Sequence, residues 1–204
     1  MQPRRYGDAG QAFPIYITVV GGLLFLAFAY FAVGQAAANR NGAQTAADAA
    51  ALAAAQDKRD QLEGAWVKAV LDPAKWQGIF EGNAEGLVPS CWRAHELAAQ
   101  NDAQVLSCGP DGPLGFTVKV ETNKSVGDSV VPGTAERKSD AFATAVIVPR
   151  CVFDPPAEDA APDVLPQLSC KGVNWELDPD DLDVLPKPED LFDVHLAETQ
   201  ANDE

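Results

Sequence analysis

The stretch that decides the fold is AFPIYITVVGGLLFLAFAYFAV, residues 12–33, which contains no charged side chain. As an α-helix these 22 residues rise about 33 Å, and the hydrocarbon core of a bilayer is about 30 Å thick. A single segment can satisfy its backbone hydrogen bonds in lipid only as a helix. The stretch therefore predicts one transmembrane helix over residues 12–34, in preference to a buried helix of a soluble core.

The main alternative is a cleavable secretory signal. Arg4 and Arg5 would form its basic start, and the three alanines at 36–38 would form its small-residue cleavage site. The apolar part of such signals usually holds about 7–15 residues, and here the helical pattern continues past the supposed cut. An anchor that stays attached is therefore favoured, and a secreted protein beginning near Asn39 is the weaker hypothesis.

The tail before the span, residues 1–11, predicts the orientation. Arg4 and Arg5 are opposed there only by Asp8, and short segments rich in Lys and Arg stay in the cytoplasm. Without those three, the totals of 15 basic and 30 acidic residues leave 13 and 29 after the span, a formal net charge of −16. Such a surface repels nucleic acid and anionic lipid headgroups. We therefore expect an extracytoplasmic C-terminal domain, membrane lipid around the span, and no nucleic-acid partner.

An alanine-rich stretch follows the span and predicts a helical stalk over residues 35–71, ended by Asp72-Pro73. Small residues recur in it at steps of three and four, so they share one helix face. A face of methyl groups lets another helix approach closely, which predicts helix packing; the alternative is that alanine only supplies helix propensity. The residues assigned to this helix-packing face are Gly34, Ala36, Ala43, Ala47, Ala50 and Ala54.

The remaining residues, 72–198, predict a small α+β domain, with a disordered tail over 199–204. Strict alternation of apolar and polar side chains over 116–121 indicates a strand, and a polar connection separates it from a second strand to form an antiparallel hairpin. Neither strand is stable alone, so the long helix or another strand must cover one face. The predicted elements are a short helix around 91–97 and strands at 116–121, 141–148, 173–177 and 191–196.

The four cysteines all lie after the span, and none forms a C-x-x-C pair. An even number in an extracytoplasmic domain indicates disulfides, although four cysteines permit three pairings. We favour Cys91–Cys108 with Cys151–Cys170, because each bridge closes a short segment. Four reduced, buried thiols are the alternative.

Catalysis and metal binding receive little support from the sequence. His95 and His195 are far apart, and a cysteine held in a disulfide is not a nucleophile. The chain has no P-loop and no G-x-G-x-x-G motif, and the span has no ionisable group for ion transport. We expect no enzyme and no cofactor. The densest carboxylate cluster, interpreted as a solvated turn rather than a calcium site, comprises Asp178, Asp180, Asp181 and Asp183, with Glu189 and Asp190 nearby.

One resemblance to a known family rests on the N-terminal residues. Gly10-Gln11-Ala12 leads into the apolar helix, and AADAAALAAA follows it at residues 46–55. This arrangement resembles the N-terminal module of TadE/TadG-like proteins of the Flp (tight-adherence) pilus system, and the opening GQAFPIYI is similar to the actinobacterial type. The resemblance covers roughly residues 5–60.

The resemblance implies a non-enzymatic, membrane-anchored component of a Flp/Tad-type pilus or secretion assembly. It further implies a minor-pilin-like or pseudopilin-like chain with a pilin-like fold, at the cell surface, whose partners are other pilus-assembly helices or copies of itself. The fifth position of a mature pilin is usually glutamate; counted from Gly10 it is Ile15, and counted from Gly7 it is Ala12, which argues against processing. The alternative is a membrane-tethered extracytoplasmic binding module unrelated to pili.

Overall fold

The computed structural model describes residues 12–125, 136–154, 165–177 and 185–198. Its dominant element is α1 (Ala12–Lys68), a continuous helix of 57 residues. A 3-10 turn at Pro73–Lys75 and three short helices follow: α2 (Trp76–Phe80), α3 (Cys91–Gln100) and α4 (Pro188–Leu191). The strands are β1 (Ala103–Pro110), β2 (Gly115–Thr122), β3 (Asp140–Pro149), β4 (Cys151–Phe153), β5 (Leu168–Cys170), β6 (Val173–Trp175) and β7 (Phe192–Leu196).

Seven strands form two antiparallel sheets in the part of the chain that the structure describes. The larger sheet has the order β1-β2-β3-β7, and the smaller has the order β4-β5-β6. The predicted α+β class, with a long N-terminal helix and a small antiparallel head, is confirmed. The predicted hairpin is β2 with β3, where Val118 lies opposite Ala143.

Alternation along β2 decides which face of the larger sheet is buried. Phe116, Val118 and Val120 are buried on one face, whereas Lys119 on the opposite face is exposed. On β3 the side chains of Ala143, Ala145 and Ile147 are buried in the same way. These two rows, together with α3, pack against the C-terminal half of α1 and enclose the core.

The stalk predicted over residues 35–71 is therefore largely part of the head. Buried side chains begin at Ala43 and continue to Val70 along α1 and the turn after it. The sheet closes over this stretch because the antiparallel strands need an apolar surface to cover their inner face. The predicted tails, 1–11 and 199–204, lie outside the described residues.

Several elements were missed by the sequence reasoning. β1 lacks clean alternation because a bulge falls between Val105 and Ser107, which shifts its register against β2. β4 and β5 are three residues each, too short for a periodic signal. α2 was not among the predicted elements.

The head has two ends along α1. At the exit end, where α1 leaves the core, the Asn39 side-chain amide donates to the Lys124 carbonyl (3.3 Å). At the far end, Gln61 on α1 accepts a hydrogen bond from the Val88 backbone N–H (2.8 Å) and donates to the Ser90 hydroxyl (3.1 Å). α3 therefore runs back along α1, from the far end to the exit end.

Candidate membrane anchor and helix-packing face

The N-terminal half of α1 carries the largest exposed apolar surface of the described chain. All fourteen large apolar side chains between residues 13 and 33 are exposed, from 38% for Val20 to 83% for Tyr30. Exposed apolar area costs about 25 cal/mol per Å² in water, and soluble monomers rarely leave such a contiguous patch uncovered. This half of α1 requires lipid or protein around it.

The same segment has the chemistry of a membrane span. It is the single described helix long and apolar enough to cross a bilayer, with a mean hydropathy of 2.2 over its most apolar window. The Thr18 hydroxyl donates to the backbone carbonyls of Ile15 (2.8 Å) and Pro14 (3.1 Å), so its polar group is satisfied within the helix. Tyr16 and Tyr30 lie near the two ends, where the membrane interface favours aromatic side chains.

Two polar side chains hold the point where α1 leaves the head. Asn39 donates to the Lys124 carbonyl, and the Gln44 amide donates both to the Phe142 carbonyl (3.3 Å) and to the Asp48 carboxylate (2.8 Å). The ends of β2 and β3 are thereby tied to the helix on either side of Gly42. The first fully buried side chain, Ala43, lies between these two ties.

The predicted helix-packing face divides into two parts. Ala43, Ala47, Ala50 and Ala54 are completely buried in this chain, under its own sheet and α3. The head of this chain covers their methyl groups, and their assignment to contacts with other helices stays a prediction. Gly34 and Ala36 are exposed, and a Cβ added at Gly34 would meet nothing within 4 Å. Contact of these two with another helix stays a prediction.

Two disulfides fasten outlying elements to the core. Cys91–Cys108 joins the first residue of α3 to the edge strand β1, with 5.9 Å between the Cα atoms. Cys151–Cys170 joins directly opposed residues of β4 and β5. The sequence separations are 17 and 19 residues, loops for which closure entropy corresponds to about 3 kcal/mol each.

An aromatic cluster fills the far end of the head, and the sequence reasoning missed it. The ring centroids of Trp66 and Trp76 are 5.4 Å apart, and Phe153 lies 5.2 Å from Trp76. Phe80 bridges Phe153 and Phe192. The Trp76 indole N–H donates to the Ala69 carbonyl (2.9 Å), which satisfies a carbonyl beyond the end of α1. The spacing of Trp76, Ile79 and Phe80 was the available signal for an amphipathic turn.

The ionisable side chains of the head make structural contacts. Burial, followed by the nearby Asp60 and Glu189 carboxylates, raises the pKa of Glu63, and burial lowers the pKa of Lys58. On the outer sheet face, the hydrogen bond from Lys119 lowers the pKa of Asp140. Arg150 ties β3 to α4 and β7, because its guanidinium donates to the Glu189 carbonyl (3.0 Å) and to the Asp193 carboxylate.

No described group of His, Cys, Asp and Glu side chains has the arrangement of a metal site. His95 is exposed on α3 beside a disulfide-bonded Cys91. His195 is exposed on β7, with its Nδ1 3.1 Å from the Asp193 carboxylate. Glu189 and Asp190 begin α4. The four aspartates between 178 and 183 lie outside the described residues.

A cleft of about 430 Å³ opens at the far end of the head. It lies where the last turn of α1 meets the 3-10 turn and α2, and it is open to solvent. Its charged and amide side chains are Lys68, Asp72, Lys75, Asn83 and Glu85.

The geometry defines a class of protein: one apolar helix that fits a single membrane pass, continued into an α+β head. The family model described as Flp pilus-assembly TadE/G-like, Tad, matches residues 10–57. The match confirms the resemblance drawn from the N-terminal residues, and it connects this region with Flp pilus assembly. The matched residues include the bare half of α1 and the alanine-rich segment but none of the strands. No curated protein and no solved structure matches the chain.

Proposed function

We propose that the chain is a non-enzymatic, membrane-anchored component of a Flp/Tad-type pilus or secretion assembly, similar to a minor pilin or pseudopilin. The observation that carries this proposal is the bare apolar half of α1, which falls within the region similar to the Tad family. The bare half lies in lipid, and seven of the nine residues from 34 to 42 are exposed for contact with neighbouring helices.

The proposed orientation places residues 1–11 in the cytoplasm and the head outside the cell. The basic pair Arg4 and Arg5 supports this orientation. Two disulfides in the head also support it, because disulfides persist in oxidising compartments. A phosphatase fused after Glu204 and a cytoplasmic reporter fused at the same position test the orientation. We expect the phosphatase fusion to be active and the cytoplasmic reporter to be inactive. Activity of the cytoplasmic reporter alone would contradict the proposed orientation.

An anchor exchange tests the function. The structure allows a clean boundary, because residues 13–38 can be replaced by an unrelated span of equal length without touching Asn39 or the buried alanines. We expect the exchanged chain to remain membrane-bound with an intact head, yet to lose crosslinking to other pilus-assembly proteins. The wild-type chain, which keeps its native residues 13–38, is the control.

A second candidate function is a membrane-tethered binding module, favoured by the open cleft at the far end of the head. In that case α1 serves only as a tether, and the exchanged chain keeps full function. The anchor exchange therefore distinguishes the two candidate functions. Retained crosslinking and pilus assembly would contradict the role in a pilus or secretion assembly.

A further inference from the structure

The charges of the head are unevenly placed. We define the exit rim as the charged residues at the exit end: Arg40, Lys119, Lys124, Arg137 and Lys138, with Asp102, Glu121, Glu136 and Asp140. The rim thus has five basic and four acidic residues, whereas the other described residues after the span have eight basic and 15 acidic. The described charges near the point where the helix leaves the head are therefore close to balanced, in a chain of net charge −15.

Backbone contacts assemble the rim from three separate segments. The Lys124 carbonyl accepts from Asn39, next to Arg40 on α1. The Thr122 N–H donates to the Ser139 carbonyl (2.9 Å), and the Ser139 N–H donates to the Thr122 hydroxyl (3.1 Å). Arg137 and Lys138 directly precede Ser139, so they lie beside the same end of β2 that Lys124 follows.

The lysines and the arginines of the rim differ in their partners. Lys119, Lys124 and Lys138 pair with Asp140 (2.7 Å), Asp102 (2.9 Å) and Glu121 (3.3 Å). Arg40 and Arg137 are exposed, and neither forms an ion pair with a described residue. A guanidinium that has no carboxylate partner among the described residues can bind a phosphate in a bidentate manner.

The proposed span brings the rim to the level of the headgroups. Arg40 follows Val33 by seven residues, a rise of about 10 Å. That distance is close to the Debye length of about 8 Å at physiological salt, and a long arginine side chain can extend toward the interface.

We propose that the exit rim binds anionic phospholipid headgroups of the leaflet from which α1 emerges, with Arg40 and Arg137 as the phosphate contacts. This interaction rests on the proposed membrane anchoring, and it holds the acidic far end away from the bilayer. Each basic side chain near an anionic surface contributes about fivefold to lipid binding.

The full chain in nanodiscs of equal parts phosphatidylcholine and phosphatidylglycerol tests the proposal. Native mass spectrometry of the released protein counts the lipids of each kind that remain bound. We expect phosphatidylglycerol to be enriched, with the enrichment falling as salt rises. The double variant Arg40→Gln with Arg137→Gln should lose most of it, up to roughly 25-fold for two arginines.

The matched control is Lys75→Gln with Lys171→Gln, which removes two exposed charges remote from the rim. It should keep the enrichment. Equal loss in the control, or no enrichment in the wild type, overturns the rim proposal while leaving the anchor intact. Failure of the wild type to enter nanodiscs of phosphatidylcholine alone overturns the anchor itself, and the rim proposal with it.

Discussion

The two halves of α1 belong to one unbroken helix, yet they face different surroundings. Residues 13–42 have large apolar side chains up to Val33 and none of them is buried, whereas seven alanines between Ala43 and Ala55 have no exposed surface. Charge separates the halves, because residues 13–33 carry no charged side chain and residues 43–68 carry seven. Their apolar side chains also differ in volume: lipid accommodates bulky side chains, whereas a sheet packed closely on a helix accommodates methyl groups.

The sheet that covers the helix also presents small side chains where the two are in contact. Ala143 and Ala145 on β3 are buried opposite the alanine-rich half of α1. Small side chains on both surfaces let helix and sheet approach closely, and tight packing leaves little room for added atoms. Farther along α1 the buried side chains become large, as at Leu62 and Trp66, where the aromatic cluster fills the far end.

The largest expected effect is on the buried half. Trp66→Ala removes a completely buried side chain that packs on Trp76 and should cost about 3–5 kcal/mol of folding free energy. Urea unfolding followed by near-UV circular dichroism measures this cost. Tyr30→Ala, on the bare half of the same helix, should leave the midpoint of urea unfolding of the head unchanged. Equal losses from both substitutions contradict the division of α1.

A charge in the bare half should have the next largest effect. Leu24→Arg places a guanidinium near the middle of the span, at a cost of about 3 kcal/mol for membrane insertion. Resistance to alkaline extraction from membranes should fall, while the isolated head keeps its fold. Ala37→Arg, beyond the span, is the control. Unchanged extraction of the Leu24 variant would show that this segment does not lie in lipid.

Enlarging an alanine should distinguish intramolecular from intermolecular packing. Ala50→Leu adds atoms to a completely buried site and should cost about 1–3 kcal/mol, seen as a lower melting temperature. Ala36→Leu, at an exposed position, should leave that temperature unchanged and weaken crosslinking to helix partners. The opposite pattern would restore the buried alanines as an interface with other chains.

The smallest expected effect concerns Glu63 in the buried half. Because its pKa is raised in the folded state, stability falls as the pH rises from the ordinary carboxyl pKa through the raised value. Glu63→Gln should therefore stabilise the head near neutral pH, by less than about 1 kcal/mol. The gain should vanish in acid, where both states of the wild type are protonated. Melting curves recorded across pH measure this gain. Glu85→Gln, at an exposed site, is the control variant.

The strands that sequence reasoning found are those with a strong period. β2 and β7 alternate apolar and polar residues, as does the sequence at 173–177 that contains β6, and β3 is an apolar run, so all four were placed within a residue or two. β1 was missed because of its bulge, and β4 and β5 because three residues carry no period. The aromatic cluster was missed because its members come from four separate segments and meet only in the folded head.

The sequence by itself determined an apolar helix that fits a membrane span, the similarity of the N-terminal residues to the Tad family, and the α+β class. These follow from local properties: an uncharged run of bilayer length, an alanine-rich pattern, and alternation in short strands. Only the tertiary structure decided which alanines are covered and which charges lie near the point where the helix leaves the head. Both depend on segments far apart in the chain, and a helix face looks the same in sequence whether another chain or its own sheet covers it.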